Sequence, residues 1–474
     1  MSPTSTPADL NNLMDELQME VIDGPTPNLG GLLVKFINPP VIPAGGNPLG
    51  PITGGKQTAK TNASTEGVGF NYDYTSLHGT APSSGECDDI LDASTHINGG
   101  NNMVTAIFDT GISRYARTQG IPYFDPNDMG YNFFRPGFYP KDQNGHGTHI
   151  SSIVMNNLEN DNGAIQLKAY MTHGKNGKGS LFNVIKALDV AVTDNVDIIN
   201  MSFVYMAEKV HGVEPKNAFK VALNRAFSIS EMLIVAAAGN DDNDNDFINN
   251  LVGLSAFPSS FDNPNIISVA SSNCILERSF FSNYGVNSVD VFAPGENVSG
   301  LNHQWQPVQI SGTSQATAMV TKLATYLGTL QTTFDWEATK CAILNTTIPM
   351  SIDNYTLTDG YIHTDAAINY LLNNPVGCQG DFRDEEETVV SIPQQSLTYI
   401  ADRDMPTFEI NTDTEEKATI TIANINGQIL VKDQVHLTKG RNIYTNNFPK
   451  TGDIGLYFLM IQTKDGIQTL KFIK

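Results

Sequence analysis

The stretch MVTAIFDTGIS, Met103–Ser113, decides the fold. Met103 to Phe108 is apolar on consecutive positions, the pattern of a strand buried on both faces. Asp109 stands where that strand must end, and Gly111 lets the chain turn sharply after it. Runs of the same character recur as IQLKAY (165–170), VDIINMSF (196–203), MLIVAAAG (232–239), NIISVAS (265–271) and VDVFAPG (289–295). Helical patterns separate them: LFNVIKALDVAVTDN (181–195), KNAFKVALNRAFS (216–228) and the segment after Ser314. Doubly buried strands alternating with helices predict an α/β domain over residues 101–372. Its sheet is mostly parallel and is covered on both sides, in three layers.

The chain of 474 residues is longer than one such domain, so further units flank it. Pro7–Asp23 has a helical pattern, Gly30–Ile37 reads as a strand, and the Pro/Gly-rich stretch 38–56 reads as a linker. The region 41–100 as a whole is taken as this linker and the approach to the α/β domain. Residues 373–394, with the acidic run RDEEE, form a second linker. From 395 to 474 short alternating segments with glycine turns predict a small antiparallel all-β sandwich. Lys+Arg 28 against Asp+Glu 50 leaves a net charge of -22, which excludes a nucleic-acid binder and suits a self-repelling soluble chain. No apolar run approaches the ~20 residues that cross a bilayer. The first residues lack the basic-then-apolar pattern of a secretory signal. The four cysteines fit no zinc spacing. Cys274 and Cys341 lie in apolar contexts that suit a buried free thiol as well as a bridge.

Three strand–loop–helix junctions carry the chemistry. At the first, Asp109 ends a strand, at the edge of a parallel sheet where sites form. At the second, NGHGTHISSIV (144–154), Gly145 and Gly147 flank His146 and the helix 149–158 follows. His146 and His149 are spaced i,i+3 with no glutamate between them, unlike a helical zinc motif, and His149 reads as a packed helix residue. At the third, SGTSQATAMV (311–320), Ser314 opens a helix whose positive end favours developing negative charge. Each residue alone has an ordinary reading, as a turn, a loop or a helix cap. Together they supply a nucleophile, a base to take its proton and a carboxylate to orient that base. In LIVAAAGND (233–241) a strand ends at Asn240, whose amide can donate to an oxyanion.

In this order the motifs DTGI, GHGTH, AAAGN and GTS resemble those of the subtilisin-like serine proteases, the subtilases. The resemblance implies a three-layer subtilisin-like fold and an endopeptidase that cuts proteins or peptides through an acyl-enzyme. In that scheme Asp109, His146 and Ser314 are the triad, and Asn240 shares the oxyanion hole with the Ser314 N–H. It also implies substrate walls at Ser202, Phe203 and Val204 on one side and Ala237 and Gly239 on the other. Gly177 and Gly179 then mark an edge that pairs with extended substrate. Val204 stands where relatives carry glycine, so the pocket for the residue before the cut is narrowed or reshaped. Gln315 replaces a methionine, which predicts oxidant tolerance. Ala318 replaces a proline and predicts a straighter helix.

No cofactor is needed for this chemistry. The family's structural calcium makes the alternating Asp242, Asp244 and Asp246 a candidate calcium loop, although an EF-type glycine and glutamate are missing. The first 40 residues resemble a propeptide remnant, placing the start of the mature enzyme between about Asn38 and Asp88. The motifs NGQ, KGRN and GLYFLMI in 395–474 resemble the C-terminal sorting domain of type IX secretion in Bacteroidota. That resemblance implies passage through the periplasm to the surface or medium, with the secretion machinery as partner. Two other readings are a catalytically idle binding protein on the same fold and a processing protease dedicated to one partner.

Overall fold

The computed structural model describes residues 19–23, 26–29, 33–36, 73–76, 90, 95–96, 101–160, 163–208, 218–246, 254–350, 355–373, 397–400, 407–412, 414–424, 429–445, 456–463 and 466–473. The stretch 38–56, Cys87, Cys378 and nearly all of the acidic linker therefore lie outside the described residues. The chain divides into two units, Met1–Arg383 and Asp384–Lys474.

The larger unit is built on one sheet. Its strands are β1 (Met103–Asp109), β2 (Gly130–Asn132), β3 (Ile165–Met171), β4 (Ile198–Met201), β5 (Leu233–Ala237), β6 (Ile266–Ser272), β7 (Val291–Pro294), β8 (Ile348–Pro349) and β9 (Gly360–Tyr361). They lie in the order β8-β9-β7-β6-β5-β4-β1-β3-β2. Every pairing is parallel except β8 on β9. The helices are α1 (Arg114–Thr118), α2 (His146–Met155), α3 (Leu181–Thr193), α4 (Ala218–Ile229), α5 (Thr313–Thr329), α6 (Trp336–Leu344) and α7 (Thr364–Asn373).

Alternate residues of each strand enter two separate cores, as the two-sided burial requires. Ile107, Leu167, Leu233, Val235 and Val269 pack with α2, α5, α6 and α7 on one face. Ala106, Phe108, Tyr170, Ile199 and Ile234 pack with α3 and α4 on the other. Helix α5 is buried around nearly its whole circumference, and its small residues let it lie close on the sheet. A side chain at Gly328 would come within 2.4 Å of the Met103 side chain. The chain leaves β1 toward β3 and β2 on one side, then returns to β4 on the other. Asp109 thus ends a strand at a point where the strand order reverses, where ligand sites form in open α/β sheets.

The N-terminal segment departs from the sequence expectation. Met19–Asp23, the end of the expected helix, is a strand paired antiparallel with Leu33–Phe36. The partner strand supplies the backbone bonds, and MEVID fits that pairing through its β-branched pair Val21-Ile22. The segment is tied to α3 and α4. The N–H groups of Asn28 and Leu29 both donate to Asp189 Oδ1, at 2.7 and 2.8 Å, and Arg225 donates to the Leu29 carbonyl. Leu29 is buried among their apolar side chains.

A second sheet of four strands has the order 254–257, 203–208, 73–76, 178–180. Asp73–Ser76, in the region expected to be linker, therefore lies between Phe203–Glu208 and Lys178–Ser180, antiparallel to both. The smaller unit has a three-stranded sheet (397–400, 407–412, 440–445) and a four-stranded one (429–437, 416–424, 456–463, 466–473), all antiparallel. Phe408 and Ile410 of the first share a core with Ile420, Ile422, Leu459 and Ile461 of the second.

Candidate active site

Asp109 is 1% exposed and His146 is fully buried. His146 Nδ1 lies 2.9 and 2.8 Å from the two carboxylate oxygens of Asp109, which fixes the ring's orientation. Burial pushes the Asp109 carboxyl upward. The charge and hydrogen bond of His146, then His173 and the Thr110 N–H, outweigh it and hold the group below the usual carboxylate value. Asp109 thus stays ionised and can stabilise an imidazolium at His146.

The two loops that meet here are held by a residue that sequence reasoning passed over. Asp142 accepts at Oδ1 from Asn144 N (2.9 Å), Gly145 N (2.8 Å) and Thr110 Oγ1 (3.0 Å). At Oδ2 it accepts from Thr148 N (3.0 Å) and Thr148 Oγ1 (2.6 Å). It caps the start of α2, where His146 is the first residue, and satisfies N–H groups that a helix start leaves open. The glycines have the same cause. A side chain at Gly147 would meet the Gly111 carbonyl at 2.4 Å, so the backbones of the two loops touch. The available signal was an aspartate three residues before Gly145, a common helix-start pattern.

A third histidine, also unmarked by any motif, sits beside the pair. His173 is fully buried, and its N–H donates to the Asp109 carbonyl at 3.1 Å. Its ring lies 4.7 Å from that of Phe203 and accepts or donates at Thr172 Oγ1 over 2.9 Å. Burial first of all lowers its pKa to about 4, with His146 adding to this and Asp109 opposing it. It is neutral at pH 7.

Ser314 is the second residue of α5 and is fully buried, while the adjacent Gln315 reaches His149 at 3.4 Å, one turn along α2 from His146. Ser314 Oγ lies 3.1 Å from the Ser202 carbonyl, and Ser202 Oγ donates back to the Ser314 carbonyl at 2.9 Å. Asn200 donates to Ser202 Oγ at 2.9 Å and accepts from Thr321 of α5 at 2.9 Å. Asn240 Oδ1 accepts from both N and Oγ1 of Thr313 at 2.9 Å. That anchors the amide and leaves Nδ2 buried with no hydrogen-bond partner, a donor held ready beside the Ser314 turn. Asn283 secures the loop, accepting from the N–H groups of Asp241 (2.8 Å) and Asn243 (3.0 Å). Gly239 has φ +113, and a side chain there would overlap the Asn283 amide.

The expected substrate walls divide by the alternation of the strand. Val204 packs with Ala237 and Ala256, so its side chain fills the space between the walls. The Phe203 side chain faces the opposite core against His173, and that of Ser202 bonds to α5. With both side chains engaged elsewhere, these two residues offer a wall through their backbone. Gly177 turns with φ +74, and Gly179 is pressed against the His173 ring. Cys274 and Cys341 are both disulfide-bonded, which overturns the free-thiol reading.

The acidic alternation at 242–246 does not fit a calcium cage. Asp242 pairs with Arg278 at 2.8 Å, and Asp246 accepts from Ser288 Oγ and from Asn287 N at 2.6 Å. Their carboxylates are turned to different partners. Among the described residues no three His, Cys, Asp or Glu side chains converge as a metal site.

Comparison with known proteins gives a consistent result. The chain is 31% identical to "Subtilisin-like protease 2" of Plasmodium falciparum over 214 residues, 42% of this chain but 15% of that protein. It is 26% identical over 275 residues to "Subtilisin DY" of Bacillus licheniformis, covering 56% of this chain and 91% of that one. A crystal structure of a cold-adapted subtilisin-like serine proteinase matches 57% of this chain and 91% of its own, with 22% identity and a TM-score of 0.44. The profile of the Subtilase family matches residues 100–377, the span of the parallel sheet and its helices, and the chain belongs to that family.

Proposed function

We propose that the chain is a secreted serine endopeptidase in which Ser314 attacks, His146 moves the proton and Asp109 holds and stabilises the imidazole. One observation carries this reading: His146 Nδ1 is engaged by both Asp109 oxygens, which commits the ring to a tautomer with a basic Nε2. Ser314 Oγ adds to the peptide carbonyl as its proton passes to His146. The oxyanion forms against Asn240 Nδ2 and the Ser314 N–H, the amine leaves with the proton from His146, and water then releases the acyl group. Substrate lies extended beside Gly177–Ser180 and Val204, with Ala237 and Gly239 opposite.

The proposed substrates are protein or peptide chains. Support for secretion comes from the sequence of 395–474, whose motifs resemble a type IX sorting domain. On this reading that unit engages the secretion machinery, and the N-terminal segment is a propeptide.

Hydrolysis of an unfolded protein substrate tests the proposal. Wild type should cleave it, and Ser314→Ala and His146→Ala should each lose at least about 10³-fold in turnover. Equal cleavage by Ser314→Ala would reject the assignment, and removal of 384–474 without effect on export would reject the sorting reading.

A further inference from the structure

We infer that a cavity beside His146, lined by Arg114, Lys141 and His303, binds an acidic side chain of the substrate on the departing side of the cut bond. The inference deepens the proposed protease reading and rests on it.

The cavity has a volume of about 320 Å³, at the small end of the range for ligand pockets. Tyr115, Asp142 and Gln304 complete its wall. It borders the reacting groups closely. Asp142 caps the start of α2, where His146 is the first residue, and a side chain at Gly145 would come within 3.3 Å of His303 Nδ1. His303 stands on the turn of the hairpin formed by Val298–Leu301 and Pro307–Ile310, which runs on into α5 and Ser314. That turn is fixed in place. Asn302 Oδ1 accepts from the N–H groups of Gln304 and Gln306 at 2.9 and 3.1 Å, and the His303 carbonyl accepts from Ser113 Oγ at 2.7 Å. The acyl-side edges, Gly177–Ser180 and Val204, contribute nothing to the lining, so a substrate reaches the cavity with the part beyond the cut.

The charge of the lining sets the ligand class. Elsewhere in this acidic chain carboxylates match the cations: Asp128 and Asp194 at Lys168, Asp23 at Lys186, Asp262 at Lys220 and Asp242 at Arg278. Among the described residues no carboxylate pairs with Arg114 or Lys141. Asp142 is the acidic member of the lining, and it is already engaged, 1% exposed with five hydrogen bonds at its two oxygens. Lys141 and His303 are half-buried, which strengthens their attraction for an anion relative to open water. His303 Nδ1 is buried and has no hydrogen-bond partner. Buried polar atoms are nearly always paired, and a carboxylate oxygen pairs with this one when it carries the proton. Guanidinium and ammonium groups bind carboxylates through short, charge-assisted bonds. The net charge of -22 repels an acidic substrate at long range, so selection for one has to come from a local patch of this kind.

The test is a peptide panel cleaved by wild type, Arg114→Gln, Lys141→Gln and the double variant. Each peptide keeps one sequence before the cut, taken from a protein site that wild type cleaves. It carries Glu or its uncharged isostere Gln at one of the first four positions after the cut. The readout is the Glu/Gln ratio of kcat/KM within one enzyme, in which the amount of active enzyme cancels. Wild type should favour Glu about 10-fold at one position, the lower range for a hydrogen bond to a charged group, and added salt should shrink the ratio. Each single variant should lower the ratio about 3-fold, and the double variant should bring it to about 1. Lys141→Glu should turn the preference at that position from Glu to Lys. A wild-type ratio of about 1 or below at all four positions, or a preference that survives in the double variant, overturns the inference and leaves the protease reading standing. A wild type that cleaves nothing and takes no fluorophosphonate label overturns both.

Discussion

Replacing Asp142 with asparagine should damage both stability and turnover, although Asp142 has no role in the proposed proton transfer. The carboxylate is 1% exposed and collects five hydrogen bonds, three at Oδ1 and two at Oδ2. In Asp142→Asn the amide oxygen can keep the Asn144, Gly145 and Thr110 donors. The NH₂ then faces the Thr148 N–H, donor against donor, and the retained bonds lose their charge assistance. One buried N–H left open costs about 1–3 kcal/mol, and with the weakened bonds the total should reach about 3 kcal/mol. At about 2–4 °C per kcal/mol for a unit of this size, the melting temperature should fall by about 6–12 °C. Thermal unfolding in a Ser314→Ala background measures this without self-digestion. Turnover of Asp142→Asn should fall about 10²-fold, since Asp142 holds the residues on either side of His146 and a displacement near 1 Å costs that much. Thr148→Val, which removes one hydroxyl donor, should cost about 1 kcal/mol. A stability change under about 0.5 kcal/mol with full turnover in Asp142→Asn would refute the framing role.

Asn240→Ala should lower kcat with little change in KM. The size of about 10²–10³-fold is the precedent of a subtilisin itself rather than a figure worked from this site. Val204→Gly should open the space beside Ala237 and Ala256 and raise kcat/KM for large residues before the cut by about 10-fold or more in a peptide panel. An unchanged panel would remove Val204 as a specificity residue. His173 binds a proton in the folded state only near pH 4, against 6.5 unfolded, so folding loses stability as pH falls through that window. The loss is about 3 kcal/mol between pH 7 and pH 4, and His173→Gln should show a flatter stability–pH curve by that amount. Gln315→Met should make peroxide inactivation faster, and equal rates would dismiss the residue as the cause of oxidant tolerance.

The sheet was legible in the sequence because its strands are buried on both faces. Unbroken apolar runs such as MVTAIF and MLIVAAAG have few other structures open to them. The site residues were legible because each follows such a run or opens a helix beside glycines that loop contact requires. Asp142, Asn283 and His173 were not, since a lone Asp, Asn or His in a loop gains its role from groups distant in sequence. Side-chain direction in SFV was lost for a related reason. Alternation says that Phe203 opposes Ser202 and Val204, but not which face meets the cleft. The strands Met19–Asp23 and Asp73–Ser76 are short and take their form from partners, so local pattern could not reveal them.

The central claim is that Ser314 is a nucleophile activated by His146. Mass spectrometry of the chain after exposure to a fluorophosphonate tests it most directly, in wild type, Ser314→Ala and His146→Ala. Wild type should carry one phosphonyl adduct on the peptide containing Ser314, Ser314→Ala none at that position, and His146→Ala should label much more slowly. A wild type without adduct, or the same labelling in all three, would contradict it.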